Sequence, residues 1–168
     1  MSLTKLTHCR IRKATPGDLD LVVEWENDPE LWPVTDDAGP FTRQEIAHFL
    51  EQSRSLEKDK QERWILEDEQ GSGVGCIDLF DFDETVGSCG IGVVVPKLEN
   101  RKKGYAVSGI RLLIQKLNND SSVNCLNCMI FPENIASLRL FEKLGFQQTG
   151  KGSFKGKDVC IFELILNE

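Results

Sequence analysis

Residues 91–117 read IGVVVPKLENRKKGYAVSGIRLLIQKL, and after a short polar gap residues 123–146 read VNCLNCMIFPENIASLRLFEKLGF. In the first stretch an apolar run ends in a basic loop, Arg101-Lys102-Lys103-Gly104-Tyr105-Ala106. Val107, Ile110, Leu113, Ile114 and Leu117 then recur at helical spacing, so the loop opens directly onto an amphipathic helix. The first turn of a helix carries N–H groups without intrahelical acceptors and about half a positive charge, which suits an anion. Three adjacent cations and a glycine that permits close backbone approach sharpen the loop into a pyrophosphate cradle.

These residues resemble the acetyl-CoA signature of the GNAT N-acetyltransferases, [Q/R]-x-x-G-x-[G/A], filled here by Arg101, Gly104 and Ala106. Asn134, followed by a helix ending Glu142-Lys143-Leu144-Gly145-Phe146, is similar to the later motif of the same family. The two lie in the family's order about 30 residues apart. The resemblance implies acetyl-CoA as co-substrate, with Val93, Val94 and Val95 offering main-chain groups to the pantetheine arm. It implies that residues Arg101, Lys102, Lys103, Gly104, Tyr105 and Ala106 hold the diphosphate, with Asn134, Phe141 and Lys143 on the later helix completing the cofactor site. For Val93 and Val95 a plain β core remains the alternative, and for Tyr105 packing on the sheet.

Outward from these motifs the chain reads as β-α-α-β-β-β-α-β-α-β-β. Residues 8–15 alternate as a first strand, and Thr15-Pro16-Gly17-Asp18 starts a helix. Asn27-Asp28-Pro29 ends that helix, and residues 30–41 read as irregular. Thr42-Arg43-Gln44-Glu45 fits a capping box for the next helix. Residues 63–68 and 73–80 form a hairpin about Glu69-Gln70-Gly71-Ser72. The glycines of residues 71–75 are turn chemistry, since no helix pattern follows them. Residues 150–157 read as a mobile, basic connection between the last two strands. The expected architecture is α/β (α+β) with the GNAT fold. Its mixed sheet has six to seven strands, splayed parallel central strands and about four flanking helices. Residues 1–168 are expected to form a single domain.

Composition narrows the function. The net charge is −7, but residues 1–84 hold 20 acidic and 9 basic side chains, and residues 85–168 hold 7 and 11. An acidic chain of this kind is a poor nucleic-acid binder. One half suits an anionic cofactor, the other a cationic partner. No apolar stretch nears the ~20 residues of a membrane helix, and no signal peptide is evident, so a cytoplasmic protein without membrane contact is expected. The six cysteines are scattered. Cys125 and Cys128 have metal-like spacing but lie in a strand pattern, where residues three apart face opposite ways. Reduced buried thiols and no metal are expected.

An amine acceptor needs a proton acceptor, because an alkyl amine with a pKa of about 10.4 is almost wholly protonated at neutral pH. Here the chain departs from the family. Phe141 stands where many members have a tyrosine acid, and Cys89-Gly90-Ile91 carries no carboxylate where many have a glutamate base. Ser137, one helical turn before Phe141, is the candidate donor to the leaving sulfur. Candidate acceptor-site residues are Trp25, Asp28, Glu30 and Trp32 in the acidic stretch, with Asp78 and Asp81 after the hairpin. Trp25-Glu26-Asn27-Asp28-Pro29-Glu30 and Pro40-Phe41-Thr42 are similar to the branch with spermidine/diamine and ribosomal-protein N-terminal acetyltransferases. The expected partner is therefore a small-molecule amine, such as a polyamine, or a peptide N-terminus, with a homodimer as a further expectation. The alternative is a sensor module that holds acetyl-CoA without turning it over.

Overall fold

Seven strands line up in the order β1-β3-β4-β5-β6-β8-β7, with a two-residue β2 paired to β3, in a computed structural model that describes residues 8–31, 39–120 and 122–166. The strands are β1 Arg10–Lys13, β2 Arg54–Ser55, β3 Gln61–Glu67, β4 Gly73–Asp83, β5 Ser88–Val94, β6 Cys125–Ile130, β7 Gln147–Phe154 and β8 Lys157–Ile165. The helices are α1 Leu19–Glu26, α2 Arg43–Glu51, the single turn α3 Leu56–Asp59, α4 Tyr105–Asp120 and α5 Ile135–Lys143. Among the described residues β2 and α3 go beyond the expected elements; each is too short to leave a periodic signal.

Every adjacent pair is antiparallel except β5 and β6. That parallel pair is brief: Ser88↔Cys125, Cys89↔Leu126 and Gly90↔Asn127. Beyond Gly90 the two strands part, while β5 stays paired to β4 as far as Val94. The expected splay is therefore present. It leaves one edge of residues 91–94 and one edge of residues 128–130 without a strand partner.

The sheet buries both faces of its N-terminal half. On one face α4 contributes Ile110, Leu113 and Leu117 against Leu66, Ile77, Leu79 and Ile91, and the same core continues to Phe141 and Phe146 of the α5 region. The helix comes close because position 109 is glycine: a Cβ there would overlap the Leu66 side chain. On the other face Val22, Trp25, Ile46 and Leu50 of α1 and α2 cover Ile65, Cys76 and Val94.

Local chemistry fixes the element ends. The Thr42 hydroxyl accepts the Glu45 N–H at 3.1 Å and the Glu45 carboxylate accepts the Thr42 N–H at 2.7 Å, the expected capping box. The hairpin turn is tied by Asp68, whose carboxylate accepts the N–H groups of Gln70 and Ser72. Residues 150–157 are not a loose connection. They belong to the β7–β8 hairpin, closed by Lys155 at φ 48° and Gly156 at φ 78°, the left-handed pair that a tight two-residue turn requires.

Candidate active site

The fork between β5 and β6 opens into a cavity of about 840 Å³. One wall is β5, with Ile91, Gly92, Val93 and Val94, then Pro96; the facing wall is Cys128, Met129, Ile130 and Phe131 of β6 and its end. Asn134, Ser137 and Phe141 close it from α5, and Phe154 and Val159 from the last hairpin. The opposite end is acidic. Glu26, Glu45, Glu62, Asp78 and Asp81 line it, and among the described lining residues Arg63 is the one cation.

Arg63 organises that acidic end. Its side chain is only 6% exposed. It donates from Nε and Nη2 to the two oxygens of Asp78, both at 2.7 Å, and from Nη1 to Glu26 at 2.6 Å. The guanidinium also lies 4.7 Å from the centre of the Phe49 ring. Burial opposes its charge, but Asp78 and Glu26 overcome this and hold its pKa well above the ordinary value. Glu62 is likewise committed: it accepts from Lys13 at 3.0 Å, from the Leu56 N–H and from the Trp64 indole. Asp81 differs. It is exposed, holds φ at +50° in the irregular end of the β4–β5 pairing, and has no hydrogen bond or ion pair among the described residues. Bulges beside a site re-aim side chains in this way.

The signature loop lies past the end of β5. A 3-10 turn at Leu98–Asn100 leads to Arg101, then Lys102 at φ 59° and Gly104 at φ 87°. The Gly104 carbonyl accepts the Ser108 N–H at 3.0 Å and so starts α4. Left-handed residues alternating in this way, just ahead of a helix N-terminus, are the backbone pattern from which anion nests are built. The Arg101 side chain folds back, donating from Nε to the Val95 carbonyl at 2.9 Å and from Nη2 to the Pro96 carbonyl at 3.0 Å.

The sequence-derived candidates separate on this geometry. Val93, Val94, Asn134, Ser137, Phe141, Trp25, Asp78 and Asp81 line the cavity. Val95 does not; its side chain packs into the core and its carbonyl is occupied by Arg101. Lys102, Lys103, Gly104, Tyr105 and Ala106 are not among the lining residues, and Tyr105 packs against the sheet core. Lys143 is exposed and outside the cavity, because helix pitch turns it away from the face that carries Ser137 and Phe141. Asp28 and Glu30 also fall outside: the Asp28 carboxylate accepts the Glu30 N–H at 3.0 Å in the turn after α1. Asp78 is present but is not a free carboxylate. Trp32 lies outside the described residues. Trp25 is 6% exposed, a core residue with one edge on the cavity.

Asn134 serves as the N-cap, its Oδ1 accepting the Ser137 N–H at 3.2 Å, which leaves the Nδ2 amide for a ligand. The Ser137 hydroxyl has no partner among the described residues. Phe141 is 3% exposed and meets Phe146 edge to face at 5.0 Å between centroids. At Gly90 a Cβ would overlap the Phe80 ring, so an aromatic fills the space in which a carboxylate at that strand position would stand.

Sequence reasoning missed Arg63, Phe80 and Phe154, and did not single out Glu26. A signal for Arg63 existed: a hairpin centred between Gln70 and Gly71 places Arg63 opposite Asp78, as observed. Phe154 was hidden because its segment read as a loop. Cys76 and Cys128 line the cavity too, and burial pushes each thiol up to about 12. All six cysteines are free, and among the described residues no group of three or more His, Cys, Asp or Glu could hold a metal. No helix among the described residues is long and apolar enough to cross a membrane.

The profile of the acetyltransferase (GNAT) domain family matches residues 8–147. The chain is 26% identical over 167 residues to the uncharacterized N-acetyltransferase p20 of Bacillus licheniformis, covering 94% of this chain and 93% of that one. Its fold is similar to spermidine N-acetyltransferase from Vibrio cholerae in complex with CoA and spermine, with a TM-score of 0.83 and 17% identity over 94% of this chain and 95% of the other. It is also similar to aminoglycoside acetyltransferase AAC(6')-Ib in complex with coenzyme A, with a TM-score of 0.78 and 20% identity over 94% and 95% of the two chains.

Proposed function

Since this chain belongs to the GNAT acetyltransferase family, we propose that it moves the acetyl group of acetyl-CoA onto a primary amine by direct attack in a ternary complex, with a polyamine or diamine as acceptor. One observation carries the reading: a single cavity joins the β5–β6 fork to a wall of carboxylates. In this reading residues 1–168 act as one domain. The nest at residues 102–106 takes the diphosphate, the unpaired edges of the fork take the pantetheine amides, and the Asn134 amide meets the arm near the sulfur.

The acidic end supplies the acceptor site. The Arg63–Asp78–Glu26 cluster has one net negative charge and a fixed geometry, so an ammonium group neutralises it without rearrangement. Asp81, unpaired and facing water, passes the amine proton to solvent. The free amine attacks the thioester carbonyl carbon, a C–N bond forms and the C–S bond breaks. The attacking nitrogen, now positively charged, gives up its second proton, which passes through water and the Ser137 hydroxyl to the leaving thiolate. A covalent acetyl-cysteine route finds no support, because Cys76 and Cys128 remain thiols at neutral pH. The polyamine assignment draws on the acidic lining and on the spermidine acetyltransferase likeness.

A second reading, a sensor that binds acetyl-CoA without turnover, is favoured by Phe141 and by the Phe80 ring over Gly90. Free-CoA release, measured with acetyl-CoA across spermidine, spermine, short diamines, amino acids and peptides with free N-termini, separates these. Highest kcat/KM on a polyamine is expected. Best turnover on a peptide N-terminus redirects the assignment to N-terminal protein acetylation. Calorimetric CoA binding without any acetylated product favours the sensor.

A further inference from the structure

We infer that Arg101 acts on the thioester carrier indirectly, as a strap that sets the end of β5, and not as a ligand of the diphosphate. The inference rests on the proposed acetyl-CoA site and goes beyond it by dividing the signature loop between two tasks. An arginine at the head of a basic loop would ordinarily be read as one more phosphate contact. Here its fork is turned the other way, with Nε on the Val95 carbonyl at 2.9 Å and Nη2 on the Pro96 carbonyl at 3.0 Å.

Two consequences follow from that geometry. The two carbonyls just past the end of β5 are held in one direction, which anchors the strand edge that runs free of β6 beyond Gly90, and that edge is where the arm's amides would pair. The same two bonds close the chain from Pro96 to Arg101 into a small ring around the 3-10 turn at Leu98–Asn100. This fixes the approach to Lys102 and Gly104, whose left-handed backbone gives the proposed nest. The strap therefore links the strand edge to the anion loop. The phosphates are then left to Lys102 and the helix N-terminus.

The fork is essential to this role. Arg101 reaches two consecutive carbonyls with two rigidly spaced donors, which a lysine ammonium on a flexible stem cannot reproduce. The side chain is exposed, so its replacement leaves the core intact and R101M keeps most of the stem's packing.

The test compares CoA with pantetheine, which keeps the arm and lacks the diphosphate. Dissociation constants for both are measured on the wild-type protein, R101M and R101K, by calorimetry for CoA and ligand-observed NMR for pantetheine. The strap predicts that R101M weakens both ligands by the same factor, about tenfold from two lost charge-assisted bonds, and that R101K loses nearly as much. Loss confined to CoA, with R101K close to wild type, overturns the strap in favour of direct diphosphate contact. No loss for either ligand overturns it as well. Failure of the wild-type protein to bind CoA is a different result, since it refutes the proposed function itself.

Discussion

Neutralising Asp78 should destabilise this protein far more than neutralising Asp81, although both carboxylates line the same wall. Arg63 is buried, and Asp78 supplies two of its three carboxylate bonds. In D78N one carboxylate oxygen becomes an NH2 group that faces a donor, and the guanidinium keeps Glu26 alone. Breaking a buried pair from one side costs about 3–5 kcal/mol, because the remaining charge stays desolvated. Asp78 is 30% exposed and Glu26 remains, so the lower end applies, about 3 kcal/mol. For a chain of this size each kcal/mol moves Tm by about 2–4 °C, which predicts a fall of about 6–12 °C. Asp81 has no bond to lose, so D81N should melt within about 1 °C of wild type while raising the KM of a polyamine acceptor. A melt followed by circular dichroism decides. The triple variant R63M/D78L/E26Q should lie above D78N, since replacing all three charged groups of the cluster leaves none of them stranded. If D78N melts together with D81N, Arg63 is hydrated, and the division of the wall into an anchored pair and a free carboxylate is wrong.

Other outcomes follow from neighbouring features. Asn27 holds both polar groups of Phe41, accepting its N–H at 2.6 Å and donating to its carbonyl at 3.0 Å; N27A should cost about 1–3 kcal/mol in urea unfolding and raise acceptor KM, because Phe41 lines the cavity. N134A should lose about 1 kcal/mol as a missing helix cap, whereas N134S keeps the cap and should weaken CoA alone, read by calorimetry. The hydrogen bonds that Arg12 donates hold the Asp18 carboxyl below its ordinary pKa. A depressed carboxylate stabilises the fold above its unfolded value of about 3.9, and that stability is lost as pH falls below it through the folded value. The gap between wild type and D18N in urea midpoint should thus be full at pH 7 and shrink below about pH 4; a gap that does not change with pH refutes the ion pair as its source. Introducing a phenol with F141Y should raise kcat about tenfold if sulfur protonation limits turnover, and stopped-assay rates at saturating substrate check it.

Much of this molecule was legible because its cues are local. The capping box at Thr42, the turn around Gly71 and the period of α4 each depend on residues within a few positions of one another. The signature loop was readable for the same reason, since a helix N-terminus next to glycine and cations needs no distant partner. Residues 150–157 misread because small polar residues on an edge hairpin show no alternation. The candidate site was harder. Asp28, Glu30 and Lys143 carry the right chemistry, but side-chain direction at a helix end or a turn is set by a turn or two of backbone, and it sends all three away from the cavity.

The sequence alone determined most of the elements, their order and the phosphate-suited loop, since those follow from periodicity and short-range bonding, while the family resemblance rested on the two motifs of residues 101–106 and 134–146. Tertiary structure decided which charges are available. Asp78 and Asp81 look alike in the chain, yet strand register sets one against a buried guanidinium and a bulge leaves the other in water. Arg101 looks like a phosphate contact until the fold turns it onto the end of β5. Such differences arise from pairings across the sheet, and the free energy of a charge depends on what surrounds it in space, which no single stretch of chain records.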